Sequence, residues 1–427
     1  MSHKSSMHVV IVDGDVSYPA NSGKRLRTLN LMLQVAKSHQ VTYIGRCAAE
    51  SEEARVAPAF LRDHQIEPIL VPHPVPRKTG PSFYARLLAS GFSAWPYSVV
   101  SHHSEPMRRV VSETARKGPV DVWQVEWAPY LATIDSALPG ARVVIAHNVD
   151  TLIWQRYFEN ERGILKKAFL KSQWHKFRRF EQQAFRQATR VVAVSEQDAS
   201  LIREQFGQPN VDVVDNGVDR AFFEQVTGHR NPSRILFLGA LDWRPNIDAI
   251  GLLLDTIFPV VRAQETNAKL VIVGRNPSAG LIERIRRVPG VELHANVADV
   301  RPYLAESGAM AVPLRIGGGS RLKILEALAC GLPVVSTRVG AEGLLLTPGE
   351  HYVQADVVGM AAALVQAIRQ PVEAQAMAAR GRRIVQDTYD WGSLAAKLEA
   401  TWEKALGRPV KEQASGTTLS AEHSIAK

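Results

Sequence analysis

Short apolar, β-branched runs alternate with longer stretches of helical periodicity along almost the whole chain. HVVIVD (8–13), QVTYIG (40–45), IEPILV (66–71), VDVWQV (120–125), RVVIAH (142–147) and RVVAVS (190–195) read as strands covered on both faces. Helix-like segments separate them, which predicts a parallel sheet wrapped by helices. The pattern restarts with RILFLG (234–239), KLVIVG (269–274), VELHA (291–295), AMAVPL (309–314) and PVVST (333–337). A second domain of the same α/β, doubly wound kind is therefore expected, in keeping with 427 residues, too many for one hydrophobic core.

The break is placed in VDVVDNGVDRAFF (211–223), where Asn216-Gly217 signals a turn. This gives domains at 1–212 and 213–386. Past about 338 the pattern turns helical, and 387–406 predicts a last amphipathic helix around Trp391, Leu394, Leu398 and Trp402, packing back on the first domain. The polar remainder, 407–427, is expected to be a disordered tail.

Composition narrows the function. No apolar run approaches the ~18 residues of a membrane span, and the first residues, MSHKSSMHVVIVDGD, do not fit a signal peptide. Two cysteines, Cys47 and Cys330, are too few for a disulfide framework or a cysteine metal site, so a cytoplasmic location is expected. The net charge of +9 is concentrated: 161–190 holds nine Lys or Arg against two Glu. Its apolar residues Leu170, Trp174, Phe177 and Ala184 fall at helical spacing, so one face packs inward and the basic face suits an anionic membrane surface on the cytoplasmic side of the inner membrane. RKTGPSFYARLLASGFSAW (77–95) has a similar character and is a candidate acceptor lip. No nucleic-acid-binding module accompanies the charge.

Chemistry concentrates in PLRIGGGSRLKILEALACGLPVVST (313–337). A strand ends, Gly317, Gly318 and Gly319 turn, and Ser320 is a good cap for the helix that follows. In open α/β sheets ligands sit at such strand ends. Glycines let backbone amides approach an anion, and a helix N-terminus carries about half a positive charge. Arg321 and Lys323 add two full charges, which suit a diphosphate, and the two oxygens of Glu326 match a ribose diol. Diphosphate beside diol means nucleotide. A bare turn with a solvated Lys–Glu pair is the plainer alternative.

The segment resembles the donor site of the retaining group 1 (family 4-like) glycosyltransferases of the GT-B fold, in the branch common in bacterial exopolysaccharide and cell-envelope clusters. YPANSGKRLRTLNL (18–31), AHNVDTLIWQRY (146–157), VVAVSEQDASLI (191–202), VDNGVDRAFF (214–223) and LGALDWRPNIDA (238–249) match in the family's order, and the likeness spans about 8–406. It implies two Rossmann-like domains facing a cleft, a sugar nucleotide on the second, an acceptor glycan or lipid-linked acceptor on the first, and neither metal nor cofactor. Glu326 matches the ribose-binding glutamate of the family's pair; the other glutamate is replaced by Gly318. Relatives also place an Arg and a Lys where this chain has Ala240 and Asn246, so Arg321 and Lys323, with Arg244 behind them, become the cations for the leaving diphosphate. Ser22-Gly23 matches the small-residue loop facing the phosphates and the transferred sugar, beside Arg25 and Arg27. His147 matches a histidine placed against the reacting sugar, and Glu126 is a lower-ranked candidate for acceptor contact or proton removal. Asp13-Gly14-Asp15 only superficially resembles a metal-binding acid pair. Two other functions fit the same residues: a sugar-nucleotide epimerase and a non-catalytic nucleotide-sugar-binding partner.

Overall fold

A computed structural model describes residues 6–20, 22–76, 79–219, 222–223, 225–226, 228–316 and 321–409. Seven strands, β1 (His8–Val12), β2 (Gln40–Arg46), β3 (Ile66–Val71), β4 (Val122–Val125), β5 (Ala141–Ala146), β6 (Arg190–Ala193) and β7 (Val211–Val213), form the first sheet in the order β3-β2-β1-β4-β5-β6-β7. Six more, β8 (Asn231–Leu238), β9 (Lys269–Gly274), β10 (Val291–Ala295), β11 (Ser307–Val312), β12 (Val334–Ser336) and β13 (Val353–Gln354), form the second in the order β10-β9-β8-β11-β12-β13. Every pairing is parallel. These are two Rossmann-like domains. The inner strands are buried on both faces because helices cover both, the edge strands β3 and β10 only partly, and side chains alternate between two cores on either side of the first sheet.

The stretch past 338 is not simply helical. β13 extends the second sheet by a two-residue pairing with β12, which a pattern this short cannot signal.

The chain returns to the first domain at its end. The helix Trp391–Ala405 places Trp391, Leu394, Leu398 and Trp402 in the same core as Val9 and Ile11 of β1. Asp390 caps it by accepting from the Ser393 amide at 3.0 Å. The crossing is tight at Gly217, where an added Cβ would stand 2.5 Å from the Trp391 ring. Residues 410–427, most of the segment expected as a tail, lie outside the described residues.

Arg27, in the helix Gly23–Val35, is 1% exposed and ties down the connection between the domains. Its Nη2 donates to the Val214 carbonyl at 2.8 Å, and its Nη1 donates to the Asp215 carbonyl and, at 3.4 Å, to Asn216 Oδ1. The three residues held are those at the predicted break.

Candidate active site

Ligands of open α/β sheets bind beyond the strand ends where strand order reverses. Here the reversal lies between β1 and β4 in the first domain and between β8 and β11 in the second. Residues following β5 and β6 meet residues following β8 and β12 across the crevice between the domains.

On the second domain, Gly317, Gly318, Gly319 and Ser320 lie outside the described residues. The helix behind them, Leu322–Ala329, buries Leu322, Ile324, Leu325 and Leu328, which fixes the direction of the polar residues between. Lys323 reaches across to the end of β8. Its Nζ donates to Asn246 Oδ1 at 2.9 Å and lies 4.7 Å from the Phe237 ring centroid, while Asn246 Nδ2 donates to the Ala240 carbonyl at 2.8 Å. The ammonium thus stands beside Ala240 and Asn246, the two positions that lack a cation of their own. Burial, with Arg321 nearby, lowers the Lys323 pKa to about 7. Glu326 is half-buried one turn later; burial raises its carboxyl to about 7, and Lys323 pulls it back.

Arg321 is 3% exposed, with Nη2 3.6 Å from Glu342 Oε2. Arg156 of the first domain reaches the same carboxylate, its Nη2 standing 2.8 and 2.9 Å from the two oxygens. Burial brings Arg321 down to about 10, opposed by Glu342 and Asp198. Gly343 lets this loop touch the first domain: its φ is +81°, and a Cβ there would come within 2.7 Å of Ser195 Cβ.

On the first domain, His147 follows β5 and Glu126 follows β4, both buried. Glu126 Oε2 accepts from His147 Nε2 at 2.9 Å and from Thr28 Oγ1 at 2.8 Å, and its Oε1 accepts from Gln124 Nε2 at 2.6 Å. Burial alone would raise the Glu126 pKa, but these donors hold it down to about 2. Burial lowers the His147 pKa; Glu126 opposes that, and Arg27 and Lys24 add to it.

Several candidate side chains have partners within the protein. Both Glu126 oxygens accept hydrogen bonds from within the protein. Arg244 lies 4.3 Å from the Tyr157 ring centroid and 3.2 Å from Glu161, both on the first domain. Arg25 pairs with Asp15 and Glu53, and Arg27 holds the interdomain connection. Ser22 caps the helix beginning at Gly23, its Oγ accepting from the Arg25 amide at 3.4 Å. Asp13 pairs with Lys24, and no group of three or more metal-ligating side chains occurs among the described residues. Sequence reasoning did not single out Gln124, Thr28, Arg156 and Glu342. A polar Gln124 inside an apolar strand, two residues before Glu126, was the one available signal.

Comparison with known proteins gives two family matches. The model described as "Glycosyltransferase Family 4" covers residues 26–222, and that described as "Glycosyl transferases group 1" covers 232–370. The MMP alpha-(1->4)-mannosyltransferase of Mycolicibacterium hassiacum is 26% identical over 245 residues, 55% of this chain and 59% of its own. The phosphatidyl-myo-inositol mannosyltransferase of Mycobacterium leprae is 31% identical over 227 residues, 50% of this chain and 58% of its own. The chain therefore spans less than two thirds of these relatives. Anabaena HepE, solved with UDP and glucose, superposes with a TM-score of 0.61 over 93% of this chain and 100% of its own at 13% identity, a likeness of fold.

Proposed function

Because the chain belongs to the group 1, family 4-like glycosyltransferases, we propose that it moves a sugar from a nucleoside diphosphate to a glycan or lipid-linked acceptor, with retained anomeric configuration, in polysaccharide or cell-envelope synthesis. The observation that carries this reading is the Lys323 ammonium held at the end of β8 by Asn246. In this assignment Lys323 and Arg321 neutralise the diphosphate as the glycosidic bond breaks, without a metal. Glu326 takes the ribose diol, Ser22, Gly23 and the 317–319 glycines line the phosphates, and His147 faces the transferred sugar. With Glu126 already occupied, the departing phosphate is the group that takes the acceptor proton. The relatives named above are mannosyltransferases and HepE holds UDP with glucose, which favours a hexose donor.

A thermal-shift screen of UDP, GDP, ADP and TDP sugars tests the reading, since a ligand bound only by the folded state raises the melting temperature. No shift with any of them counts against it, and donor conversion without an acceptor would point to an epimerase instead. Glu326→Ala should weaken the best nucleotide by about tenfold or more, the worth of a charge-assisted hydrogen bond. Calorimetry reads this directly; equal affinity removes Glu326 from the ribose.

The acceptor side is proposed to meet an anionic membrane. The helix Ile164–Gln187 buries Leu170, Phe177 and Phe180 and leaves Ile164 and Leu165 86% and 89% exposed. Lys176 Nζ ties the Leu88–Phe92 turn to this helix by donating to the Ser90 carbonyl at 2.8 Å, and Phe92 is 97% exposed. Each lysine near an anionic surface contributes about 1 kcal/mol, so replacing Lys166, Lys167 and Lys171 with alanine should lower binding to phosphatidylserine vesicles by about 100-fold. Undiminished vesicle binding by the triple variant would exclude this surface.

A further inference from the structure

The buried hydrogen bonds behind His147 run in one direction, beginning in the C-terminal helix. Trp402, 0% exposed, donates its indole N–H to Gln124 Oε1 at 2.9 Å. An indole nitrogen can only donate, so the amide oxygen of Gln124 must face Trp402 and its NH₂ must face the other way. On that side Gln124 Nε2 meets Glu126 Oε1 at 2.6 Å. Turning the amide over would set an oxygen against a carboxylate and an N–H against an N–H. Ionised Glu126 accepts only, so the His147 nitrogen 2.9 Å away, Nε2, carries the imidazole proton. Burial favours the neutral ring, so Nδ1 keeps a lone pair, and it is buried without a hydrogen-bond partner among the described residues.

We propose that Trp402 is a positioning residue that, through Gln124 and Glu126, fixes His147 in its Nε2-protonated tautomer, so that Nδ1 accepts a hydrogen bond from a hydroxyl of the sugar in the cleft. The tautomer follows from the buried chain alone, while the sugar contact rests on the function proposed above. A neutral imidazole offering a lone pair distinguishes a sugar hydroxyl, which can donate, from a phosphate oxygen, which cannot. His147 therefore reads the transferred sugar and leaves the diphosphate to the second domain. Gln124 on β4 and Glu126, the residue just past its end, sit two residues apart and so share one face, the face that the C-terminal helix covers.

The test is ¹⁵N-histidine labelling of the full chain with long-range ¹H–¹⁵N correlation, which tells the two ring nitrogens apart. Wild-type His147 should show an unprotonated Nδ1 and a protonated Nε2. In Trp402→Phe the aromatic packing stays and the donor goes, so the two tautomers should exchange. Turnover of the donor identified by the screen should fall about tenfold, the rate equivalent of one lost hydrogen bond, with its KM unchanged. Gln124→Leu breaks the chain from the other side and should reproduce both effects if Trp402→Phe proves too unstable to study. A protonated Nδ1 in the wild type, or unaltered His147 signals in both variants, overturns the tautomer assignment. Adding UDP-glucose or GDP-mannose should shift Nδ1, while UDP or GDP alone should leave it in place. Equal shifts from the bare nucleotide overturn the sugar contact. If no sugar nucleotide of the screen binds while the tautomer is as stated, the function proposed above fails and the positioning role of Trp402 stands.

Discussion

Lys323→Ala is expected to lower kcat by about 10²–10³-fold, the usual cost of removing one preorganised group from a developing negative charge. The ammonium is held in advance by Asn246 at 2.9 Å and by the Phe237 ring at 4.7 Å, so it need not reorganise when the diphosphate leaves. The same burial makes the effect pH-dependent. With its pKa near 7, Lys323 in the empty cleft loses its proton as the pH rises through neutrality, whereas an adjacent diphosphate restores the charge. Nucleotide binding above pH 7 must therefore take up a proton, and affinity should fall by up to about tenfold per pH unit there. Glu326 titrates in the same window, so the lysine's share is the difference between wild type and Lys323→Ala. Calorimetry in two buffers of unlike ionisation heat measures it. A variant with wild-type kcat would remove Lys323 from the leaving group.

Arg27→Leu should be the most destabilising of the substitutions considered, by about 3 kcal/mol or more. The guanidinium is fully enclosed and donates to two backbone carbonyls and an amide oxygen of residues 214–216. Leucine fills part of the volume and strands those acceptors without water, each at about 1–3 kcal/mol. Burial has already lowered the Arg27 pKa to about 10, with Glu126 and Asp215 opposing the drop, so the position tolerates a charge only because of these partners. Urea unfolding followed by tryptophan fluorescence would show a lower midpoint. An unchanged midpoint would mean that the interdomain connection holds itself.

The architecture was legible because strands buried on both faces leave uninterrupted apolar runs, and each of the eleven runs picked out overlaps a strand of one of the two sheets. The ligand side was read from where the glycines fall relative to a strand end, and those glycines lie outside the described residues. The identity of the cation proposed for the diphosphate was only half visible. Ala240 and Asn246 read as a loss, since nothing in linear order says that Lys323, 77 residues from Asn246, fills the space beside them. Arg244 misled for the converse reason: it lies close in sequence to the right loop, yet the Tyr157 ring and Glu161 draw it across the crevice. Glu126 showed its position but not its occupancy, because Thr28 and His147 come from other elements and Gln124 was concealed among valines. Long-range partners of this kind arise from topology, and local periodicity carries no trace of them.

The packing of Trp391–Ala405 against β1 also sets the order in which the molecule can be completed during synthesis. Translation delivers the seven strands of the first sheet early, but the patch awaiting Leu394, Leu398 and Trp402 stays open to water until the ribosome has passed position 402. The second domain, whose strands all lie between 231 and 354, has its whole sheet before that moment. The half of the enzyme made first is thus the half finished last, and a nascent chain stalled short of the final helix would present a bare apolar surface to chaperones.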